Sequence, residues 1–441
     1  MKQFKKERLV SLRNSWYILC VMIVSSAFLF GQNRGYRPII SNDLNTSAYD
    51  WNAFSTRWIN MRMIAMAAVD DSHFYQNEQS RMHVGEMSHY DRWDVRGLRL
   101  GAAGTINFEQ PWTYLMSGSV NSLMKDFDNS KDEKFTLLDC VVGIPVWGEY
   151  GRLQIGKMKE PISMERTMGM VFEQVMERPM HLDALLTSRN TGVTVSDLIW
   201  NKRIRWRIGL FNNWLDENGV SFSDANYQIT GRVTSVIYED AQTKKLLHIG
   251  GAYRYEKIKE GSIRYDVGPE FYFSPPWLDT GTFAADASYT FNAEFTYLDG
   301  PLWIASEYTQ TIVDTPEDRL HFNGYHIALN YFLTGEHRGY NKRRGTVRRI
   351  TPVLDFDKGG WGAVEVSARY SFMDLSDKEI TGGQMEIVST GIVWHPRRDH
   401  QFHLQWSRAR LKNRTTIPIE RIKAGKSHTD MLQFRWVFVI D

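Results

Sequence analysis

The chain of 441 residues contains two cysteines, Cys20 and Cys140, too few for a disulfide framework or a cysteine-rich metal site. It has no C-x-x-C, no H-E-x-x-H, no G-x-S-x-G elbow and no phosphate-binding glycine-rich loop. The common spacing-based signatures of enzymes are therefore missing, and no reaction, metal or cofactor is expected. Histidine is sparse, and His403, between Phe402 and Leu404, reads as a polar residue on one face of a strand rather than as a base. Neither charge dominates, with 53 basic against 51 acidic residues, which removes the main electrostatic argument for nucleic-acid binding. Long hydrophobic runs are also absent apart from one near the N-terminus. At 42% hydrophobic residues the composition is too polar for a helical membrane protein, yet 13% aromatic residues is high for a soluble one.

That single apolar run, Trp16 to Phe30, follows Lys2, Lys5, Lys6, Arg8 and Arg13, and small residues Ser25, Ser26 and Ala27 precede a cut after Gly31. This pattern is a secretory signal peptide, shorter than the ~20 apolar residues a spanning helix needs. The bulky Tyr17-Ile18-Leu19 before Cys20 argues against a lipoprotein. Its removal takes five basic residues and one acidic one, leaving 48 against 50, and Cys140 as the last thiol. The expected organisation is a signal peptide at 1–31, an N-terminal periplasmic lead-in at 32–56 and one domain at 57–441.

What fills that domain is a period-2 rhythm. In 364–372, Val364, Val366, Ala368, Tyr370 and Phe372 alternate with Glu365, Ser367, Arg369 and Ser371, and the last ten residues set Leu432, Phe434, Trp436, Phe438 and Ile440 on one face. Alternate strand side chains point to opposite faces, so each segment has one greasy and one wet surface. About sixteen such segments run from 57–69 to 431–440, an even number as bacterial single-chain barrels have. Segment 262–273 also looks strand-like, but Pro269, Pro275 and Pro276 assign it to a loop. The fold class is all-β, an antiparallel transmembrane β-barrel with lipid outside and water inside.

With the N-terminus periplasmic, the long connections at about 70–91, 159–190, 212–225, 258–283 and 411–430 are extracellular. The periplasmic links are tight, as at Glu109-Gln110-Pro111 and Asp299-Gly300. The exception is 334–360, whose Arg338, Lys342, Arg343, Arg344, Arg348 and Arg349 read as a solvated basic loop. Tyr75, Tyr90, Trp93, Phe271, Tyr272, Phe273 and Trp277 would form the upper aromatic girdle, or serve sugar stacking if the barrel were a binding module.

Several passages resemble the phosphate-selective porin O/P family. Gly151-Arg152-Leu153-Gln154-Ile155-Gly156-Lys157-Met158-Lys159-Glu160-Pro161 is similar to its G-x-L-x-x-G-[RK]-x-K-E-P-F segment, and Met176-Glu177-Arg178 to its M-E-R element. Pro269-Glu270, Asp279-Thr280-Gly281, Asp299-Gly300-Pro301 with Glu307-Tyr308, and Glu365 to Ser371 with Gly382-Gly383 follow in the family's order across roughly 95–440. The resemblance implies a trimer of sixteen-stranded barrels passing anions passively, with phosphate or polyphosphate as substrate class. It also implies that loop 159–190 folds into the lumen as a constriction.

An anion entering a narrow pore loses hydration, and fixed cations must replace it, as rings of Arg or Lys do in anion pores. Arg203, Arg205 and Arg207 alternate with Ile204, Trp206 and Ile208, which sets three guanidinium groups on one luminal face. They serve either selectivity or pairing with luminal acids such as Asp197. Arg96 and Arg99 stand where the family often has a double arginine, with Gly97 at the second place. In the constriction loop, Lys159, Arg166, Arg178 and Arg189 accompany Glu160, Glu165, Glu173 and Glu177. Arg166 occupies the place of a phosphate-contacting lysine of the family and Val171 that of the next, while Glu177 and Arg178 would pair to hold the loop. The reading is a bacterial outer-membrane porin for small anions. Its partners are phosphate, outer-membrane lipid and lipopolysaccharide, the assembly machinery and two further copies of itself. Alternatives are a non-conducting barrel that binds a glycan or protein, and a soluble secreted β-sandwich.

Overall fold

The structure, a computed structural model, describes residues 51–120, 135–173, 175–212, 225–412 and 427–441. The expected signal peptide, most of the lead-in and much of the loops at 212–225 and 411–430 lie outside them.

Sixteen long strands follow in chain order: β1 (Ile59–Gln76), β2 (Arg92–Ile106), β3 (Trp112–Ser119), β4 (Thr136–Pro145), β5 (Arg152–Met158), β6 (Asn190–Ile199), β7 (Ile204–Asn212) and β8 (Ala225–Asp240) make the first half. The second half is β9 (Lys245–Ile258), β10 (Ala287–Asp299), β11 (Leu302–Asp314), β12 (Arg319–Phe332), β13 (Ala363–Asp377), β14 (Ile380–Arg397), β15 (His400–Lys412) and β16 (Ser427–Ile440). Each pairs antiparallel with its neighbours, and β1 pairs with β16 from Ala65 opposite Ile440 to Gln76 opposite Thr429. The sheet thus closes on itself and leaves no unpaired edge. A three-residue strand, Ala53–Ser55, folds back on the start of β1.

The alternation sorts residues as expected, but in the opposite sense to a soluble protein. Ile208 and Leu210 on β7, Val233 on β8, Ile327 on β12 and Leu404 on β15 are more than half exposed, whereas Arg232, His248, Glu294, Glu307 and Arg435 are almost wholly enclosed. A continuous apolar belt around a charged interior fits hydrocarbon outside. No helix among the described residues is long and apolar enough to cross a membrane.

One end of the barrel carries short turns, at 107–111, 146–151, 200–203, 241–244, 300–301 and 398–399. The other carries the long loops, of which 77–91, 159–189 and 259–286 are described almost completely. Segment 262–273 stays out of the barrel ladder, forming two-residue ladders with 278–284. The aromatics of that loop correct the girdle expectation. Phe271 and Trp277 are buried in an apolar cluster with Phe74, Met87, Met180 and Phe322, and Tyr90 and Phe273 pack against it, while Tyr75 and Trp93 remain exposed on the outside.

A second correction concerns 334–360, which is not a solvated loop throughout. From the turn end it enters the lumen as a small hairpin, Tyr340–Asn341 against Thr346–Val347. Arg338 is buried, paired with Glu365 at 2.8 Å and stacked on Trp303. Backbone carbonyls of the hairpin accept from luminal arginines: Arg205 Nε donates to Arg343 O at 2.6 Å and Arg232 Nη2 to Gly345 O at 2.8 Å.

Candidate functional site

The lumen is organised around the loop between β5 and β6, residues 159–189, which crosses it. Two short helices stiffen the loop, Met164–Thr167, whose N-cap Ser163 Oγ accepts from Arg166 N at 2.9 Å, and Met180–Leu185 after Pro179. Its tethers reach most of the wall. Glu160, fully buried, accepts from Arg254 Nε on β9 at 3.0 Å and from Thr187 Oγ1 at 2.8 Å. Glu307 on β11 accepts from Glu165 N at 2.8 Å, and Gln405 on β15 from Met176 N at 2.8 Å. Glu270 in the 259–286 loop accepts from Met180 N at 3.0 Å while paired with Arg369 on β13 at 2.5 Å. His181 lies 3.0 Å from both Thr309 Oγ1 and His326 Nδ1. Gly324 makes room for this contact, since a Cβ there would stand 2.4 Å from the His181 Cβ.

The strongest tether is ionic. Arg96 donates to both oxygens of Glu177 at 2.6 and 2.9 Å, and Arg435 on β16 donates to Glu177 at 2.5 Å and to Asp70 on β1 at 2.7 Å. Arg96 points inward because β2 is bulged there: Ala68 faces Gly97 and Val69 faces Val95, so Arg96 is the extra residue. Burial works against the Glu177 charge, yet Arg96 and Arg435 outweigh it and hold the carboxyl down at about 2.

Each basic residue singled out in the sequence has a definite place. Arg166 does not line the path; its guanidinium is spent inside the loop, on Asp183, on Leu186 O at 2.8 Å and on Thr187 O at 3.1 Å. Glu177 and Arg178 do not pair with each other, for Arg178 turns to Glu173 at 2.7 Å. Arg205 and Arg207 face the lumen, but Arg203 sits at the turn end, exposed, with Nη1 on Ile237 O at 3.3 Å. Asp197 is no partner of that row and instead accepts from Trp147 Nε1 at 2.8 Å. Cys140 is half-buried.

The remaining bases converge. Arg189 pairs with Asp139 at 2.9 Å, and Lys159 Nζ donates to Met168 O at 2.5 Å. Arg99 lies in the field of Arg189, Arg96 and Arg178, and its buried Nε has no hydrogen-bond partner. Burial, reinforced by Arg178 and Arg189, presses the Lys159 ammonium well below its ordinary pKa, with Asp139 opposing. Arg99, Lys159, Arg178 and Arg189 thus stand among Asp139 and Glu173, and Asp183, Glu165 and Glu177 also act on Arg178. Arg99, whose Nε has no hydrogen-bond partner among the described residues, is the cation there that an entering anion would neutralise. Among the described residues, no group of three or more His, Cys, Asp or Glu side chains is placed to hold a metal ion.

Sequence reasoning missed Asp70, Glu160, Arg254, Glu270, Glu294 and Arg435 as organisers of the lumen. All but Glu160 and Glu270 lie on strands, on the wet face of the period-2 pattern, which was the available signal.

A family model described as phosphate-selective porin O and P matches residues 69–436. An uncharacterized protein of Caulobacter vibrioides is 28% identical over 258 residues, 55% of this chain, and the match spans 50% of that relative's own length. Among solved structures, an anion-selective porin from Comamonas acidovorans superposes with a TM-score of 0.52 at 12% identity, covering 86% of this chain and 99% of that one. The outer-membrane channel DcaP of Acinetobacter baumannii gives 0.51 at 8% identity, covering 87% and 99%. At such identities the structural likeness establishes the barrel fold alone, while the family match covers most of the chain. The protein is a β-barrel of the bacterial outer membrane and belongs to the phosphate-selective porin O and P family.

Proposed function

We propose that the protein is a trimeric porin passing small anions by diffusion, with inorganic phosphate or polyphosphate the favoured class. Its long loops face outward and its turns face the periplasm. The observation that carries this reading is the convergence of Arg99 on the wall with Lys159, Arg178 and Arg189 of the constriction loop, where Arg99 Nε has no hydrogen-bond partner among the described residues. An oxyanion passing there replaces lost hydration with charge-assisted hydrogen bonds. An anion there opposes the depression of the Lys159 pKa and favours its charged form. Four nearby bases, rather than a single pocket, favour passage over tight capture, since conduction requires the ion to leave again.

The test is recording from the purified protein in a planar bilayer under a salt gradient, with phosphate then added to chloride. Anion-favouring reversal and chloride current blocked by phosphate support the reading, and Lys159→Gln or Arg99→Gln should weaken the block. Cation-favouring or unselective reversal in folded channels would overturn it. Arg166→Ala tests something else, the internal bracing of the loop.

A further inference from the structure

We infer that residues 353–361, on the turn side of the barrel, form a strap that lies in the interfacial layer of the adjacent phospholipid leaflet. Within these nine residues Val353 is 83% exposed, Trp361 81%, Phe356 55% and Leu354 50%. A water-facing loop rarely gathers four large apolar side chains, and a contiguous exposed group of this kind marks a contact surface.

The segment is firmly built rather than loose. Gly360 N donates to Asp355 O at 3.0 Å and Gly359 N to Phe356 O at 3.2 Å, with Gly359 in the left-handed region at φ 87°. Gly362, at φ 67°, packs so close to β14 that a Cβ would stand 2.3 Å from His395 O. Val353 N is fixed on Glu336 Oε1 at 3.2 Å. The fold therefore holds these apolar groups outward.

The occupant follows from what the strap adjoins. Phe356 packs edge-on against Trp394 at 5.4 Å, and Trp394 Nε1 donates to Trp361 O at 2.8 Å. Trp394 stacks on Phe402 at 5.5 Å, and Phe402 on Trp436 at 6.4 Å. Those rings belong to the outer face of β14, β15 and β16, the face already assigned to lipid. The strap continues that face beyond the strand ends, at the same end of the barrel as Trp58, Phe108 and Trp200, all exposed. Rings with one apolar body and one polar edge settle at the membrane boundary. Charged groups lie at the same level, Lys358 beside Asp355 at 2.6 Å and Arg397 beside Asp357 at 2.8 Å, as headgroups require. A second copy of the chain or plain solvent would be the other occupants.

The experiment places one cysteine at Trp361→Cys, and separately at Val353→Cys, in the full chain freed of its own two cysteines. Each carries an environment-sensitive fluorophore in vesicles of phosphatidylethanolamine and phosphatidylglycerol, and Arg343→Cys, exposed on the luminal hairpin, is the control. Electrophoretic heat-modifiability reports folding. The expected result is blue-shifted emission at 353 and 361, quenched at least about threefold more than at 343 by nitroxide carried on lipid headgroups. Water-like emission quenched fully by iodide would overturn the inference. So would blue-shifted emission indifferent to lipid-borne nitroxide, together with disulfide-linked protomers when the same variants are oxidised without label, which would assign the strap to a second copy. None of these readouts depends on ion selectivity.

Discussion

Replacing Glu177 by glutamine isolates what seats the constriction loop. Its carboxylate receives Arg96 at 2.6 and 2.9 Å and Arg435 at 2.5 Å, and all three side chains are at least nine-tenths enclosed. Removing one partner of a buried ion pair costs about 3–5 kcal/mol, because the other charge is left uncompensated. Arg435 keeps Asp70 at 2.7 Å, so the lower figure applies, about 3 kcal/mol. Glu177 belongs to the loop and its partners to the wall, so the loss falls on the loop's attachment and not on the strand ladder. Neutral tethers such as Gln405 to Met176 N and Gln401 to Val171 O contribute about 1 kcal/mol each. A deficit of about 3 kcal/mol raises an unseated population roughly a hundredfold, at 1.4 kcal/mol per decade. The assay is single-channel recording: Glu177→Gln should flicker and conduct more on average, with folding unchanged by heat-modifiability, and Glu177→Asp should be intermediate. Quiet channels of parental conductance from folded Glu177→Gln protein would refute the clamp.

Arg99→Gln removes a half-buried cation with no ion-pair partner among the described residues, so anion preference measured by reversal potential should fall while thermal stability holds or rises slightly. Glu165 is pushed up to about 7 by burial and by Glu173; an acid raised in the folded state stabilises below that value and loses the contribution as pH climbs from the ordinary carboxylate range through about 7. Loop flicker should therefore increase from about pH 5 to about pH 7, and Glu165→Gln should abolish the trend; a pH-independent parent would count against it. Gly324→Ala places a methyl into His181 and the Phe372 carbonyl, an overpacking worth about 1–3 kcal/mol. It should lower the midpoint of heat-modifiability and displace the loop, and an unchanged midpoint and conductance would contradict the packing described.

The barrel was legible because its rule is local. Every second residue meets lipid, so Val364 to Phe372 and Leu432 to Ile440 declare their faces without reference to anything distant. The same rule set Arg205 and Arg207 inward but could not see that β7 begins at Ile204, leaving Arg203 outside. Arg96 and Arg99, three apart, cannot share a face in an unbroken strand, and it takes the bulge opposite Ala68 to turn both inward. The loop interior was less legible because its partners are remote. Arg166 matched the place of a phosphate-contacting lysine of the family, yet Asp183 and two carbonyls claim it. The basic run 338–349 looks solvated in isolation, and Glu365, Trp303 and His248, which receive it, lie on three different strands.

The pairing of β1 with β16 also dictates an order of events. Arg435 and Asp70 are 365 residues apart, so the contact that closes the wall forms only after the final strand has arrived. Contacts of such sequence separation make folding slow, because chain entropy is lost before they form. Arg435 also supports Glu177, which means the obstruction in the lumen cannot be fastened in a chain whose last strand is still undocked. A nascent barrel would pass through a stage that is open along its seam and wide at its waist. Transport properties are thus acquired at the last step of biogenesis, together with closure, and damage to β16 would be felt as leakiness before it was felt as loss of strands.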